Sequence, residues 1–484
     1  MCSKNQYCSF LIFFLLIFFQ FACNKLIDVS PPVTSYTESN VYSSDATAIA
    51  ALTGIYTNMS LTFRGAFTTG NNSISLYTGL SGDELTLYPG ATSTTYIAYY
   101  RNALKVNGAI TAGSEYWAEL YNKVFVCNAA IEGLNNSTNL SSTVKAQLTG
   151  EAKFMRAFFY FYLVNLFGDV PLATTTDSKS NAILGRTAKE KVYQQVMTDL
   201  KDAVNLLSND YLDGNLTSYT SSQERVRPTK WAATALLARV YLYNNDYINA
   251  EAEASKVIDH TSLFSLVSLN NVFLKNNSEA IWQLQPSGIG KNTEDAITYI
   301  LPQTGPSNNN PVYLSPYLLR SFEPGDERVS AWIDTLVRGT DTLFFPYKYK
   351  SATLGAPVTE YLIILRLAEQ YLIRAEAKAQ TGNLKEAAED LNIIRMRAGL
   401  LEVDNAIADS KQRLLDAIFH ERQVELFTEW GHRWLDLKRT GKINTIMPTV
   451  TQQKGGIWNT NWQWYPLPAG DLIKDPNLTQ NTGY

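Results

Sequence analysis

The chain of 484 residues carries 41 Lys and Arg against 45 Asp and Glu, a formal charge of −4, with 3 His and 4 Cys. A hydrophobic content of 45% excludes a disordered chain, the near-neutral balance removes the electrostatic case for a nucleic-acid partner, and so few histidines leave little room for a His-rich metal site. Aromatics make up 12%, led by 28 Tyr, and this excess is the compositional clue toward binding.

The N-terminus reads as an address and an anchor. Lys4 is the only charge in the first 24 residues, and residues 9–22 run SFLIFFLLIFFQFA. A membrane span needs about 20 apolar residues, so this run fits the apolar stretch of a secretory signal instead. It stops at Ala22-Cys23, the cleavage pattern of a lipoprotein signal. The Cys23 sulfur would take a diacylglycerol and become the new N-terminus. Gln20 departs from the commoner aliphatic residue at its position. Cleavage removes Cys2 and Cys8, which leaves Cys127 without a partner for a disulfide. Cys127 lies in the apolar helical stretch YNKVFVCNAAIEGL and reads as a buried small hydrophobe. Residues 24–40 form a polar tether, and residues 41–484 form the folded body.

Apolar residues at helical spacing predict helices over 114–135, 143–167, 189–207, 228–243, 247–259, 361–380, 384–398 and 411–430. Two stretches repeat each other: AATALLARVYLYNNDYINAEAEASKVI and AEQYLIRAEAKAQTGNLKEAAEDLNII. Alignment of Tyr247 on Leu384 places Ala238 on Ala375, Ala250 on Ala387 and Val257 on Ile394. Each unit is a helix, a polar turn and a second helix with small residues at the crossing, the logic of a tetratricopeptide hairpin. One hairpin cannot bury its own apolar face, so hairpins stack, and three or four are expected. Residues 60–110 and 270–359 are rich in Ser, Thr, Asn, Gly, Pro and Tyr, with short strand-like runs such as AIWQLQ and TLFFPYKY. Residues 443–484 read as a further loop-like tail. The fold class predicted is mainly α: helical hairpins supporting a loop-rich second lobe with short strands.

Catalytic patterns are sought and not found. His420-Glu421 begins like a zinc-protease helix and lacks its second histidine one turn on. The mature chain has no Gly-x-Ser-x-Gly elbow. A glycosidase needs two carboxylates about 5–10 Å apart, which 45 acids cannot exclude, although most of them fall on amphipathic helices. In HERQVELFTEWGHRWLDLKR, Glu421 and Glu425 lie one turn apart on one face, and these acids with Arg422 and Arg433 predict ion pairs that lock the C-terminal region to the helical body. What remains is tyrosine in loops: Tyr77, Tyr88, Tyr96, Tyr99 and Tyr100 early, then Tyr299, Tyr313, Tyr317 and Trp332. Aromatic faces stack on the C–H faces of sugar rings, and Asn308, Asn309 and Asn310 offer amides for sugar hydroxyls. Most such rings in a protein of this size serve packing.

Four blocks carry a family resemblance: EAKFMRAFFYFYLVNLFGDVPL, RLAEQYLIRAEAKAQTGNLKEAAEDLNIIRMRAGL, HERQVELFTEWGHRWLDLKR and the C-terminal YPLPAGDLIKDPNLTQNTGY. With the lipoprotein signal, the chain resembles the SusD/RagB family of lipid-anchored outer-membrane nutrient-binding proteins. The resemblance implies about four tetratricopeptide-like units with a loop-rich lobe, and a C-terminal family region over 270–484. It implies no catalysis; no cofactor and no metal ligand is expected, and a metal bound in the loop lobe stays open. The implied partner is a SusC-like TonB-dependent β-barrel, over which the protein sits as a lid on the cell surface, passing it a glycan or oligosaccharide. The implied ligand regions hold Tyr88, Tyr96, Tyr299, Tyr313 and Trp332, with Cys23 as the lipidation site. The alternatives are peptides as ligands, or a tetratricopeptide scaffold that binds only protein.

Overall fold

The computed structural model describes residues 41–61, 67–107 and 110–484. The signal run, Cys23 and the tether therefore lie outside the described residues. The chain starts with α1 (Asp45–Ser60), capped by the Ser44 hydroxyl, which accepts from the Thr47 amide at 3.3 Å. Two short helices follow, α2 (Ile74–Ser81) and α3 (Thr94–Tyr100), with strand β1 (Leu85–Leu87) between them. The helical body is α4 (Glu115–Asn136), α5 (Ser142–Phe167), α6 (Lys189–Leu206), α7 (Lys230–Tyr243) and α8 (Tyr247–Ile258). After the second lobe it resumes with α9 (Leu367–Thr381), α10 (Leu384–Arg397), α11 (Lys411–Glu425), α12 (His432–Arg439) and α13 (Ile443–Gln453).

These helices stack in sequence, α4 on α5, α5 on α6, α6 on α7, α7 on α8, and then across the insertion α8 on α9 and α9 on α10 and α11. The small residues aligned between the two repeat units, Ala238, Ala250, Ala375 and Ala387, are all fully buried, as close helix crossing requires. The hairpin turns work differently. Asp246 caps α8 by accepting from the Asn249 amide, while Gly382 takes φ +97° to end α9. Phe158, Phe159, Tyr160 and Phe161 of α5 are fully buried, and Cys127 is a buried free thiol.

Four expectations need correction. The pattern over 361–380 reads as one helix, yet its start is strand β6 (Leu362–Arg366), antiparallel to β2 (Ala280–Leu284). LIILR is buried on both faces, so it lacks the alternation that marks a strand. The helix read through 430 stops at Glu425, because Thr428 and Trp430 take positive φ and Gly431 follows at φ +74°. That turn sends the Trp430 ring among Phe67, Phe158 and Tyr162 and lets its indole donate to the Ile363 carbonyl at 2.7 Å. The loop-like tail contains α13, which runs through Pro448. The early loop region contains α2 and α3, too short to show a period and fixed by Ser73 and Ser93 side chains that accept from the Leu76 and Tyr96 amides.

The second lobe adds β3 (Val312–Leu314), β4 (Ile333–Arg338) and β5 (Asp341–Pro346). β4 pairs with β5 as a hairpin, and β3 pairs antiparallel with β1. The β1–β3 pair joins the two regions that the sequence marks as loop-rich.

A buried ion network sets the C-terminal segment against both lobes. Arg328 reaches Glu421 at 2.6 Å and Glu425 at 3.0 Å, and Arg366 reaches Glu425 at 2.6 Å and Glu429 at 2.8 Å. Arg422 of α11 pairs with Asp436 of α12 at 2.7 Å. Burial alone would raise the Glu425 carboxyl, but Arg397, Arg366 and Arg328 hold it well below the usual carboxylate range. These residues are structural ion pairs, as the spacing of Glu421 and Glu425 predicts. Arg433 of α12 ties that helix to the site region: its guanidinium grips Asp83, two residues before β1, at 2.8 and 2.6 Å.

Candidate functional site

The β1–β3 register pairs Leu85 with Leu314, Thr86 with Tyr313 and Leu87 with Val312. Side chains alternate across a strand, so the four aliphatic residues turn inward and are buried while Thr86 and Tyr313 share the opposite, half-buried face. The ladder is extended at both ends, by the Ser315 amide donating to the Glu84 carbonyl at 2.8 Å and the Tyr88 amide donating to the Pro311 carbonyl at 2.9 Å. Tyr313 also packs on a small satellite core of Leu301, Leu336 and Phe345, which fixes its ring from behind.

Tyr88 stands at the end of this face, also half-buried. Its hydroxyl donates to Asn308 Oδ1 at 3.2 Å, and the same oxygen accepts from the Thr92 amide at 3.3 Å. Asn308 Nδ2 in turn donates to Thr92 Oγ1 at 2.9 Å. One amide side chain thus holds both ends of the turn that carries Tyr88. Gly90 leaves room for the ring: a Cβ there would sit 2.7 Å from it and displace Tyr88. Tyr100, the last residue of α3, completes the group beside Tyr313 and Thr86. Burial, then the neighbouring Tyr313, raises the Tyr100 phenol, and the Thr86 side chain opposes this. The result is three tyrosine rings with Thr86, Thr92 and Asn308 between them, a surface of aromatic faces and neutral hydrogen-bonding groups.

Of the five residues expected to bind ligand, Tyr88 and Tyr313 lie on this face. The other three lie beneath it or in the core. Tyr96 is 7% exposed, packs edge-on to Tyr77 at 6.0 Å and donates to the Asn71 carbonyl at 3.0 Å. Tyr299 ends a short helix over Glu294–Tyr299 and is buried. Trp332 has no exposed surface; its indole donates to the Leu269 carbonyl at 2.9 Å and its ring faces the Lys348 ammonium at 4.8 Å. Tyr299 and Trp332 therefore serve packing in place of the expected ligand contact, and Tyr96 packs on the buried Tyr77. Among the three asparagines, Asn308 joins the face, whereas Asn310 donates inward to the carbonyls of Ile297, Thr298 and Ile300.

Sequence reading misses Thr86 and Thr92. The available signal is the apolar–polar–apolar alternation of LTL and VYL, and runs of three residues are too short to separate from chance. Among the described residues no group of three or more His, Cys, Asp or Glu gathers to hold a metal ion, and no helix is long and apolar enough to cross a membrane.

Comparison with known proteins agrees with this architecture. A family profile described as "Starch-binding associating with outer membrane" matches residues 101–242, and one described as "SusD family" matches residues 330–484. SusD-like protein P25 of Formosa agariphila is 24% identical over 550 aligned positions, which cover 98% of this chain and 99% of that protein. A SusD superfamily protein from Bacteroides vulgatus shares the fold with a TM-score of 0.76 at 20% identity, over 92% of this chain and 100% of that one. A laminarin-binding SusD-like protein superposes with a TM-score of 0.72 at 23% identity, over 90% of this chain and 99% of that one. The chain belongs to the SusD/RagB family.

Proposed function

We propose that this protein captures a glycan at the outer surface of the outer membrane and delivers it to a SusC-like TonB-dependent β-barrel, which it covers as a lid. A lipid on Cys23 anchors it there. The observation that carries this reading is the β1–β3 pairing, which sets Tyr88, Thr86 and Tyr313 on one half-buried face, with Asn308, Thr92 and Tyr100 beside them. Flat rings take the apolar C–H faces of pyranoses, and the amide and hydroxyls take their hydroxyl groups. The six named residues of the face carry no carboxylate, although Asp341 lies close enough to act on the Tyr313 phenol, and the neutral lining supports binding over cleavage. A shallow platform of this kind holds each sugar weakly, which suits a protein that must release its cargo into a transporter. The starch-binding description of the matching profile and the laminarin-binding neighbour support a glucan-like ligand over a peptide.

A glycan array probed with the chain from residue 24 onward tests the ligand class. Binding to neutral glycans is expected, and binding only to peptides would contradict the reading. Purification of the lipidated chain from outer membranes tests the partner. A TonB-dependent barrel should co-purify, and recovery of the chain alone from intact membranes would contradict the lid.

A further inference from the structure

The segment Gly455–Trp464 reads GGIWNTNWQW: three of the nine tryptophans within seven residues, interleaved with amides and with no charged side chain. Ile457 is 81% exposed, and Trp458, Trp462 and Trp464 are half-buried. Each ring is held by a contact that fixes its direction. The Trp458 indole donates to Asn444 Oδ1 at 3.0 Å and the Trp462 indole donates to the Gly483 carbonyl at 3.3 Å. Trp464 is covered on one face by the Lys438 ammonium, 3.8 Å from the ring centre, and acts as the buttress. Trp458 and Trp462 are thereby oriented through their N–H edges while ring surface stays open. Among the described residues nothing hydrogen-bonds the side-chain amide of Asn461, which sits between them.

This strip is continuous with the tyrosine face. Gly456 lies so close to Arg101 that a Cβ would meet its carbonyl oxygen at 2.1 Å, and Arg101 directly follows Tyr100. Lys454, one residue before the strip, donates to the Leu80 carbonyl at 2.7 Å and to the Gly82 carbonyl, and lies 5.1 Å from the Tyr100 ring. Tyr465, one residue after it, packs edge-on beneath Tyr99 at 5.4 Å. Both ends of the strip are thus bolted to the helix that carries Tyr100.

We propose that Ile457–Trp464 is a second carbohydrate-contacting surface, taking the next stretch of the same neutral glycan chain held by Tyr88, Tyr100 and Tyr313. This rests on the capture reading above. The strip's own residues supply stacking faces and amides and carry no charge, and the Arg101 side chain approaches its edge at Gly455. The ligand class assigned to it is an uncharged oligosaccharide longer than the tyrosine face spans. Two adjoining weak surfaces on one rigid body add through effective concentration, so affinity should climb with chain length.

The test is affinity electrophoresis of the full chain in gels containing laminarin or starch, with calorimetry on the matching disaccharides. Trp462→Ala should weaken polymer retention about tenfold while the disaccharide affinity changes little, and Trp462→Phe should recover most of the loss. Tyr313→Ala should weaken polymer and disaccharide alike. Polymer retention that survives both Trp462→Ala and Trp458→Ala, in variants with unchanged melting temperature, overturns the strip and leaves the tyrosine face standing. Equal losses for disaccharide and polymer in Trp462→Ala also overturn it, because they make the strip part of one short site. Retention by a sulfated polymer and by neither neutral one overturns the assigned ligand class and the strip together.

Discussion

Tyr88 and Asn308 lie 220 residues apart in the chain, and the Tyr88 hydroxyl donates to Asn308 Oδ1 at 3.2 Å. That bond joins the early and middle loop regions at the surface, directly above the buried β1–β3 ladder. It makes the orientation of Tyr88 depend on a residue that contributes no ring of its own.

Asn308→Ala should therefore lower glycan affinity several-fold at a modest cost in stability. The three bonds it loses are exposed, and exposed bonds of this kind contribute about 0.5–1.5 kcal/mol each at most. Calorimetry and a thermal melt on one preparation separate the two effects. A large fall in melting temperature with unchanged affinity would show that Asn308 is a structural tie only.

Glu425 receives Arg328 at 3.0 Å, Arg366 at 2.6 Å and Arg397, all in the core. Glu425→Ala leaves three buried guanidinium groups short of a counter-charge and should cost about 3–5 kcal/mol in urea denaturation. The solvent-facing pair of Lys153 and Asp202 provides the contrast: Asp202→Ala should cost about 1 kcal/mol or less. Because the Glu425 carboxyl is depressed in the folded state, its contribution is present at neutral pH and is lost as pH falls into the acid range. The gap between wild type and Glu425→Ala should accordingly narrow on acidification.

Asp295 shows the opposite sign. Burial lifts its carboxyl from 3.8 to about 7, against bonds from the Gly70 amide and the Thr69 hydroxyl. In the unfolded chain the group ionises first, so folded-state stability falls as pH rises from about 4 to about 7 and is level beyond. Asp295→Asn keeps the acceptor and removes the charge. Its stability advantage should be small near pH 4 and grow by up to about 1.4 kcal/mol per pH unit toward neutrality. A constant difference across that range would contradict the assignment.

Gly456→Ala tests how the tryptophan strip is seated. The added Cβ meets the Arg101 carbonyl at 2.1 Å, a backbone atom that cannot swing aside. The strip must lift from α3, at a cost of about 1–3 kcal/mol. Polymer binding should fall with it, whereas Gly470→Ala, where nothing lies within 4 Å, should change neither.

Much of the scaffold is legible in the sequence because its signal is local. The repeat units place Ala238 opposite Ala375 and Ala250 opposite Ala387, and all four sit at the buried crossings. The ion pairs of Glu421 and Glu425 follow from one-turn spacing on a helix, although their partner Arg328 lies outside that helix and has no local mark. The site is legible only in part. Tyr313 and Trp332 have the same chemistry and neighbouring loops, but one lies on the outer face of a two-stranded ladder and the other under Lys348 in the core. That difference is set by strand register and by packing partners far away in sequence. β6 is hidden for a related reason, since a strand buried on both faces has no alternation to read.

Calorimetry of the double variant Tyr88→Ala, Tyr313→Ala against wild type, with the neutral glycan that wild type binds, tests the capture face most directly. Both side chains are half-buried and surface-facing, so the variant should fold normally. Loss of most glycan affinity, at least tenfold, is expected in a variant that still melts cooperatively. Wild-type affinity in a folded double variant would contradict it and move the capture site away from the β1–β3 face.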